Sequence, residues 1–260
     1  GSDSAPSGHH GSARPSPRSN TPIHAECNLD HEVTSDEGHA GELVILVHGL
    51  WTPAAVFVLH SRWLERLGYR TLRFGYRSVR ATLSENAAEL QTRVAETIAE
   101  SIHLVGHSLG GLIILDMLAQ TGDPRLRRAV LLGTPCSDSY AARRLSSFWG
   151  LPTLLGQSTM EWLSRGPDAT TLQRSTVEVG VLAGTRSVGL GRVLADLPTP
   201  NDGLVTLAET RLPGATDFID LPLAHSEMLV SRRCAAQIVY FLASGRFMHA
   251  ADPEEFPRIE

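Results

Sequence analysis

Leu43-Val44-Ile45-Leu46-Val47 is an unbroken aliphatic run closed by His48-Gly49. A strand that is apolar at every position has both faces covered, as in a parallel sheet flanked by helices. The run therefore predicts a central strand of such a sheet, and it sets the frame for the rest of the chain. Residues 56–67 read as a helix stopped by Gly68, residues 69–74 as a second strand, and residues 84–100 as a long helix. Residues 102–105 read as a third strand, residues 109–119 as a helix, and residues 129–132 as a fourth strand ending in Gly133-Thr134-Pro135. Residues 177–183 and 216–221 restore the strands, and residues 227–243 read as a closing helix. Strands alternating with helices through right-handed crossovers give an α/β fold, a doubly wound, mostly parallel sheet with helices on both faces.

Residues 137–175 interrupt the alternation. Phe148, Trp149, Leu151, Leu154, Leu155, Met160, Trp162 and Leu163 are interleaved there with Gly and Pro, the pattern of short helices in a small inserted cap. Two readings stand: a lid whose apolar side chains line an acyl groove, or a cap packed permanently on the core. Residues 1–40, rich in Ser, Gly, Pro, His and acids, bury too little apolar surface to offset ordering entropy and are expected to be a disordered leader or tag remnant. They carry five of the eleven histidines and Cys27, so adventitious metal binding is conceivable, but a solvated leader is the simpler reading. Residues 41–247 are expected to form one domain, and residues 248–260 a mobile acidic tail.

The net charge of -5 provides no general attraction for nucleic acid or anionic lipid, so neither is expected as a partner. No apolar run has the length of a membrane span. All 23 basic residues are Arg, a bias read as the coding composition of a GC-rich, bacterial genome. Cys27, Cys136 and Cys234 are odd in number and widely spaced, which fits neither a disulfide framework nor a metal knuckle and allows one disulfide at most. The chain opens with Gly-Ser and no apolar signal segment, as a trimmed chain would, and leaves a cytoplasmic, periplasmic or secreted location open, as it does oligomeric state.

Gly106-His107-Ser108-Leu109-Gly110-Gly111 carries the strongest chemical signal, because it lies between a predicted buried strand and a predicted helix. In a G-x-S-x-G elbow the serine sits on a strained strand-to-helix turn, and the glycines remove side chains that would strike neighbouring backbone. The strain exposes the hydroxyl, and the new helix offers its first N–H groups to a developing oxyanion. Ser108 is therefore the candidate nucleophile.

With His48-Gly49-Leu50, Asn201-Asp202-Gly203-Leu204-Val205 and His225 just ahead of the last helix, the chain resembles the α/β-hydrolase superfamily over about residues 42–245. The resemblance is to bacterial lipases and esterases with an H-G-x oxyanion loop, and more loosely to inositol-deacylase-like lipases. The order Ser, Asp, His is the one that fold uses. His225, in a loop after a strand, is the candidate general base; the alternative is a polar loop or helix-cap histidine. The N-D-G-L-V resemblance points to Asp202 as the acid, against an ordinary Asn-Asp-Gly turn and against the rivals Asp196, Asp217 and Asp220. It also implies that the backbone N–H groups of Leu50 and Leu109 form the oxyanion hole, with His48 bracing the loop.

Candidate substrate contacts are Trp51, His107, Trp149, Met160 and Trp162. The expected activity is hydrolysis of short to medium apolar carboxylic esters through an acyl-enzyme, with no cofactor and no metal, on a small-molecule ester or lipid. An acyltransferase or thioesterase on the same residues, and a catalytically silent binding module, are the alternatives.

Overall fold

The computed structural model describes residues 39, 41–146, 152–166, 172, 175–189 and 197–249. Among them one sheet is built from β1 (Glu42–Val47), β2 (Arg70–Phe74), β3 (Ser101–His107), β4 (Leu126–Leu132), β5 (Glu178–Gly184) and β6 (Asp217–Leu221), in the spatial order β2-β1-β3-β4-β5-β6. Each neighbouring pair is parallel, so the sheet is parallel throughout the described residues. The helices are α1 (Val58–Arg66), entered through a 3-10 turn at Ala54–Phe57, α2 (Leu83–Glu96), α3 (Leu109–Leu118), α4 (Tyr140–Ser146), α5 (Pro152–Arg165) and α6 (Arg232–Ser244). The leader expected over residues 1–40, His39 apart, and residues 250–260 of the expected tail lie outside the described residues.

Strand order reverses once. The chain steps outward from β1 to β2, returns past β1 to β3, and then adds every strand on the same side. Right-handed crossovers in opposite directions leave their helices on opposite faces. Leu43, Ile45 and Val47 accordingly pack with Leu90 of α2 and Ile113 and Met117 of α3, whereas Val44 and Leu46 pack with Leu64 of α1 and Ile238 and Phe241 of α6. This two-sided cover explains the aliphatic run. Each such side chain fully withdrawn from water contributes about 1.5–3 kcal/mol. The reversal also opens a crevice beyond the carboxyl ends of β1 and β3, where open α/β sheets bind ligands.

Helix boundaries differ from the sequence reading at two places, each for a local reason. The long helix expected to reach residue 100 stops at Glu96, because the Arg125 guanidinium donates to the carbonyls of Val94 and Thr97 and satisfies the last acceptors. Its start is fixed by a capping box in which Thr82 and Glu85 bond each other's backbone N–H. The closing helix begins at Arg232, where Ser231 Oγ caps Cys234 N–H at 3.2 Å, and residues 227–229 form a separate 3-10 turn.

The cap comprises α4 and α5. Helix α5 breaks at Gly156, whose φ of 74° lets the backbone pass so near Val79 that a Cβ would lie 2.7 Å from Val79 Cα. Buried polar bonds fasten it to the body: Ser158 Oγ donates to the Ala81 carbonyl at 2.8 Å and accepts from Asn86 Nδ2 at 2.9 Å. Ser84 Oγ donates to Glu161 at 2.7 Å, and Arg165 pairs with Asp116 on α3. At this end the cap is part of the core.

In β5 a Cβ on Gly180 would lie 2.5 Å from the fully buried Phe241 ring of α6. Gly180→Ala is expected to destabilise the fold by about 2 kcal/mol through overpacking, read as a lower urea midpoint; an unchanged midpoint would mean that the ring has room to yield. A second expectation concerns acid. His60 on α1 is buried between Phe57 and Trp63 with no hydrogen-bond partner among the described residues for either ring nitrogen, and burial pushes its pKa down to about 4. The unfolded chain takes up this proton near roughly pH 6.5, so the contribution is complete above that pH and is lost as pH falls to about 4, amounting to about 3 kcal/mol. His60→Phe should flatten the urea midpoint against pH across that window, and an unaltered slope would assign the acid sensitivity elsewhere.

Candidate active site

Ser108 occupies the turn from β3 into α3 with φ 53° and ψ −119°, a strained region for a residue bearing a Cβ. Conformations of this kind cost on the order of 1–3 kcal/mol and persist where the surroundings over-determine them. Here the surroundings are glycines packed against backbone and against the Thr134 side chain. A Cβ on Gly110 would lie 2.1 Å from the Val47 carbonyl oxygen, one on Gly106 2.7 Å from Gly111 Cα, and one on Gly111 2.0 Å from Thr134 Oγ1. The Ser108 N–H donates to the Leu132 carbonyl at 2.9 Å, tying the turn to β4. Leu109 begins α3, so its N–H belongs to the first turn of a helix, where donors lack intrahelical partners.

The loop leaving β1 is braced from behind. The His48 ring stacks on Tyr76 at 4.2 Å and donates from Nδ1 to the Gly49 carbonyl at 2.8 Å. Thr52 Oγ1 donates to the same carbonyl at 3.0 Å, and Tyr76 Oη donates to the His48 carbonyl at 2.7 Å. Burial holds the His48 pKa below its ordinary value, so the ring acts as a neutral strut. Leu50 and Trp51 follow, Trp51 at φ 59° with more than half of its surface exposed.

Asp202 and His225 arrive on the loops after β5 and β6. The Asn201-Asp202-Gly203 sequence does form a tight turn: Asn201 Oδ1 accepts from Gly203 N–H at 2.9 Å, and Gly203 has φ 97°. The same turn orients the acid. Asp202 is fully buried, its Oδ1 accepts from the N–H groups of Leu204 and Val205 at 2.9 and 2.7 Å, and its Oδ2 accepts from His225 Nδ1–H at 2.7 Å. His225 also donates its backbone N–H to the Asp202 carbonyl at 2.8 Å, and its own carbonyl accepts from His107 Nε2–H at 3.0 Å. With Nδ1 committed to a carboxylate, the lone pair of a neutral His225 ring resides on Nε2.

Ser108 and His225 share one cavity of about 200 Å³, walled mainly by apolar side chains and lined also by Leu50, Trp51 and Leu109. The cap closes it with Ala141 and Ala142 of α4 and with Leu155, Thr159 and Trp162 of α5. Ser108 makes no side-chain hydrogen bond among the described residues, so its hydroxyl is uncommitted in the resting geometry. Serine–base bonds are often loose without substrate.

Of the sequence-derived substrate contacts, Trp51 and Trp162 line the cavity. Met160 does not: past the break at Gly156 the residues of α5 that line the cavity are Thr159 and Trp162, and Met160 is out of phase with them. His107 reaches the cavity wall but is buried and bonded to His225, so it serves the loop before any ligand. Trp149 and the rival acid Asp196 lie outside the described residues. The rival Asp217 is turned to the Phe247 N–H and the His249 ring, and Asp220 is exposed on β6. Gly133 and Gly184 were not singled out by sequence reasoning. A Cβ on Gly133 would lie 3.0 Å from Asp202 Oδ2, and one on Gly184 2.8 Å from Asp202 Cβ. Their signal was a glycine at the carboxyl end of a buried strand.

The same fold is found in solved structures of lipases and esterases. The mature-form lipase of Bacillus licheniformis superposes with a TM-score of 0.65 at 20% identity, over 81% of this chain and 95% of that one. A metagenomic carboxyl esterase gives 0.54 at 24% identity over 73% and 66%, and an esterase of Exiguobacterium antarcticum 0.56 at 15% over 80% and 94%. At these identities the likeness is one of fold. No curated relative matches the sequence. The model of the alpha/beta hydrolase family matches residues 44–258, a span that takes in the elbow, the loop after β1 and the two loops carrying Asp202 and His225, and the chain therefore belongs to the alpha/beta hydrolase family.

Proposed function

We propose that this protein is a serine carboxylic-ester hydrolase working through an acyl-enzyme, with Ser108 as nucleophile, His225 as base and Asp202 as the acid that orients it. The observation that carries this reading is the Asp202–His225 bond of 2.7 Å on the wall of the cavity that Ser108 also lines. Ser108 Oγ attacks the ester carbonyl carbon as His225 Nε2 takes its proton. The carbonyl oxygen becomes an alkoxide, held by the N–H groups of Leu50 and Leu109, where one such donor contributes about 3 kcal/mol. The imidazolium gains from the buried carboxylate beside Nδ1 and returns its proton to the leaving alcohol. Water then repeats the sequence on the acyl-serine, releasing the acid and restoring Ser108.

The cavity favours uncharged substrates. No Asp, Glu, Lys or Arg is among its described lining residues, so a charged group drawn against them would lose hydration without gaining an ionic partner. Its volume of about 200 Å³ is below the roughly 300–1,000 Å³ of sites for drug-sized ligands, which suits short to medium acyl chains.

Ser108→Ala should abolish ester cleavage and labelling by an organophosphonate while leaving the melting temperature nearly unchanged. His225→Ala should be almost as severe, and the double variant scarcely worse than either, since the two serve one step; losses that multiply would remove His225 from that step. Asp202→Asn should lower kcat by about 10⁴-fold, whereas Asp217→Asn and Asp220→Asn keep most activity; the reverse pattern would move the acid. With nitrophenyl esters, a neutral butyrate should exceed the hemisuccinate, which carries a free carboxylate, by roughly 100-fold in kcat/KM. Equal rates would show that the acyl group avoids the apolar cavity.

A further inference from the structure

His107 occupies the variable position before the nucleophile, and the mechanism above gives it no step. It is buried, yet it touches both halves of the site. On one side its Nε2–H donates to the His225 carbonyl at 3.0 Å, with the two ring centroids 4.6 Å apart. On the other, Gly49 of the loop after β1 lies so near that a Cβ there would be 3.1 Å from His107 Nδ1. Nδ1 itself is buried without a hydrogen-bond partner among the described residues. The ring is thus wedged between the loop that carries the base and the loop that carries Leu50.

We infer that His107 is a positioning residue, whose single Nε2–H fixes the main chain of His225 so that the base is held at the right distance from Ser108. The inference rests on the triad reading given above. Three anchors hold His225: Nδ1–H to the Asp202 carboxylate, backbone N–H to the Asp202 carbonyl, and backbone C=O to His107. The first two both end on Asp202. Among the described residues, the third is the hydrogen bond that ties His225 to the strand end from which Ser108 springs, since His107 is the adjacent residue. Burial pushes the His107 pKa down to about 3, so the ring stays neutral and remains a donor at any pH where an ester hydrolase works. Because Nδ1 is unused, one donor at the position of the ε nitrogen is all the role requires.

That restriction yields a test with side chains of graded reach. Gln places an amide N–H near the ε nitrogen, Asn places one near the δ nitrogen, and Leu places none. The full chain carrying His107→Gln, His107→Asn or His107→Leu would be assayed for kcat and KM on nitrophenyl butyrate, with active sites counted by the end point of organophosphonate labelling and folding checked by thermal melts. Asn and Leu should lower kcat by about 10- to 100-fold, as misplacement of a catalytic group by an ångström does, with KM within about threefold. Gln should keep kcat within about threefold of the parent. If Leu fails to fold, the contrast between Asn and Gln carries the result. Equal kcat across all variants overturns the inference, and so does a Gln variant that is as impaired as Asn or does not fold, because the ring and not its donor would then be what matters. Ser108→Ala separates the two levels: if it retains turnover the triad reading falls, and if it is inert while Asn and Leu match the parent, only the role of His107 falls.

Discussion

A Cβ at position 110 would sit 2.1 Å from the Val47 carbonyl, and one at position 111 would sit 2.0 Å from Thr134 Oγ1. The first turn of α3 therefore lies directly on the carboxyl ends of β1 and β4, at a separation only glycine permits. This contact sets the first turn of α3 against the ends of the two strands that flank β3. It forces Ser108 into its positive φ, sets the amino end of a helix beside the loop after β1, and leaves α3 sunk in the core with nearly every side chain buried. The strain at Ser108 is sustained by packing on all sides of the turn.

A second layer of constraint is polar. Asp202 spends one carboxylate oxygen on two backbone N–H groups and the other on His225, so a fully buried acid has its acceptors occupied in directions that fix its orientation. Room for the pair comes from Gly133 and Gly184 at the ends of the flanking strands. Backbone shape, not side-chain choice alone, thus determines where an acid and an imidazole can meet. The loop after β1 follows the same logic, with Tyr76, His48 and Thr52 securing its carbonyls.

The cap contributes to both the core and the cavity wall. Its α5 is fastened to α2 and to the segment before it by buried hydrogen bonds, and on the same helix Leu155, Thr159 and Trp162 line the cavity. Among the described residues lining the cavity there is no formally charged side chain, so a charged group placed against them would lose hydration without an ionic partner.

Local sequence determined what local physics can determine. The aliphatic run at Leu43–Val47 required cover on both faces, the glycines around Ser108 required a tight strand-to-helix turn, and the order of strands and helices required a doubly wound sheet. Helix ends were less legible where a distant residue shares in them: at the end of α2 the Thr97 hydroxyl takes the Arg93 carbonyl, and Arg125, 29 residues after Glu96, takes those of Val94 and Thr97. The site divides in the same way. Ser108 could be read from its own neighbours, because its geometry is a property of six consecutive residues. Asp202 could be singled out only by resemblance, since Asn-Asp-Gly makes the same turn wherever it occurs, and its burial and its bond to His225 are set by Gly133, Gly184 and the loop after β6. The placement of Trp162 on the cavity wall and of Met160 off it, and the bond from His107 Nε2–H to the His225 carbonyl, depend on what lies across from them in space. Those relations exist only once the chain has folded, because hydrogen bonds and packing act between neighbours in three dimensions, and the sequence records neighbours in one.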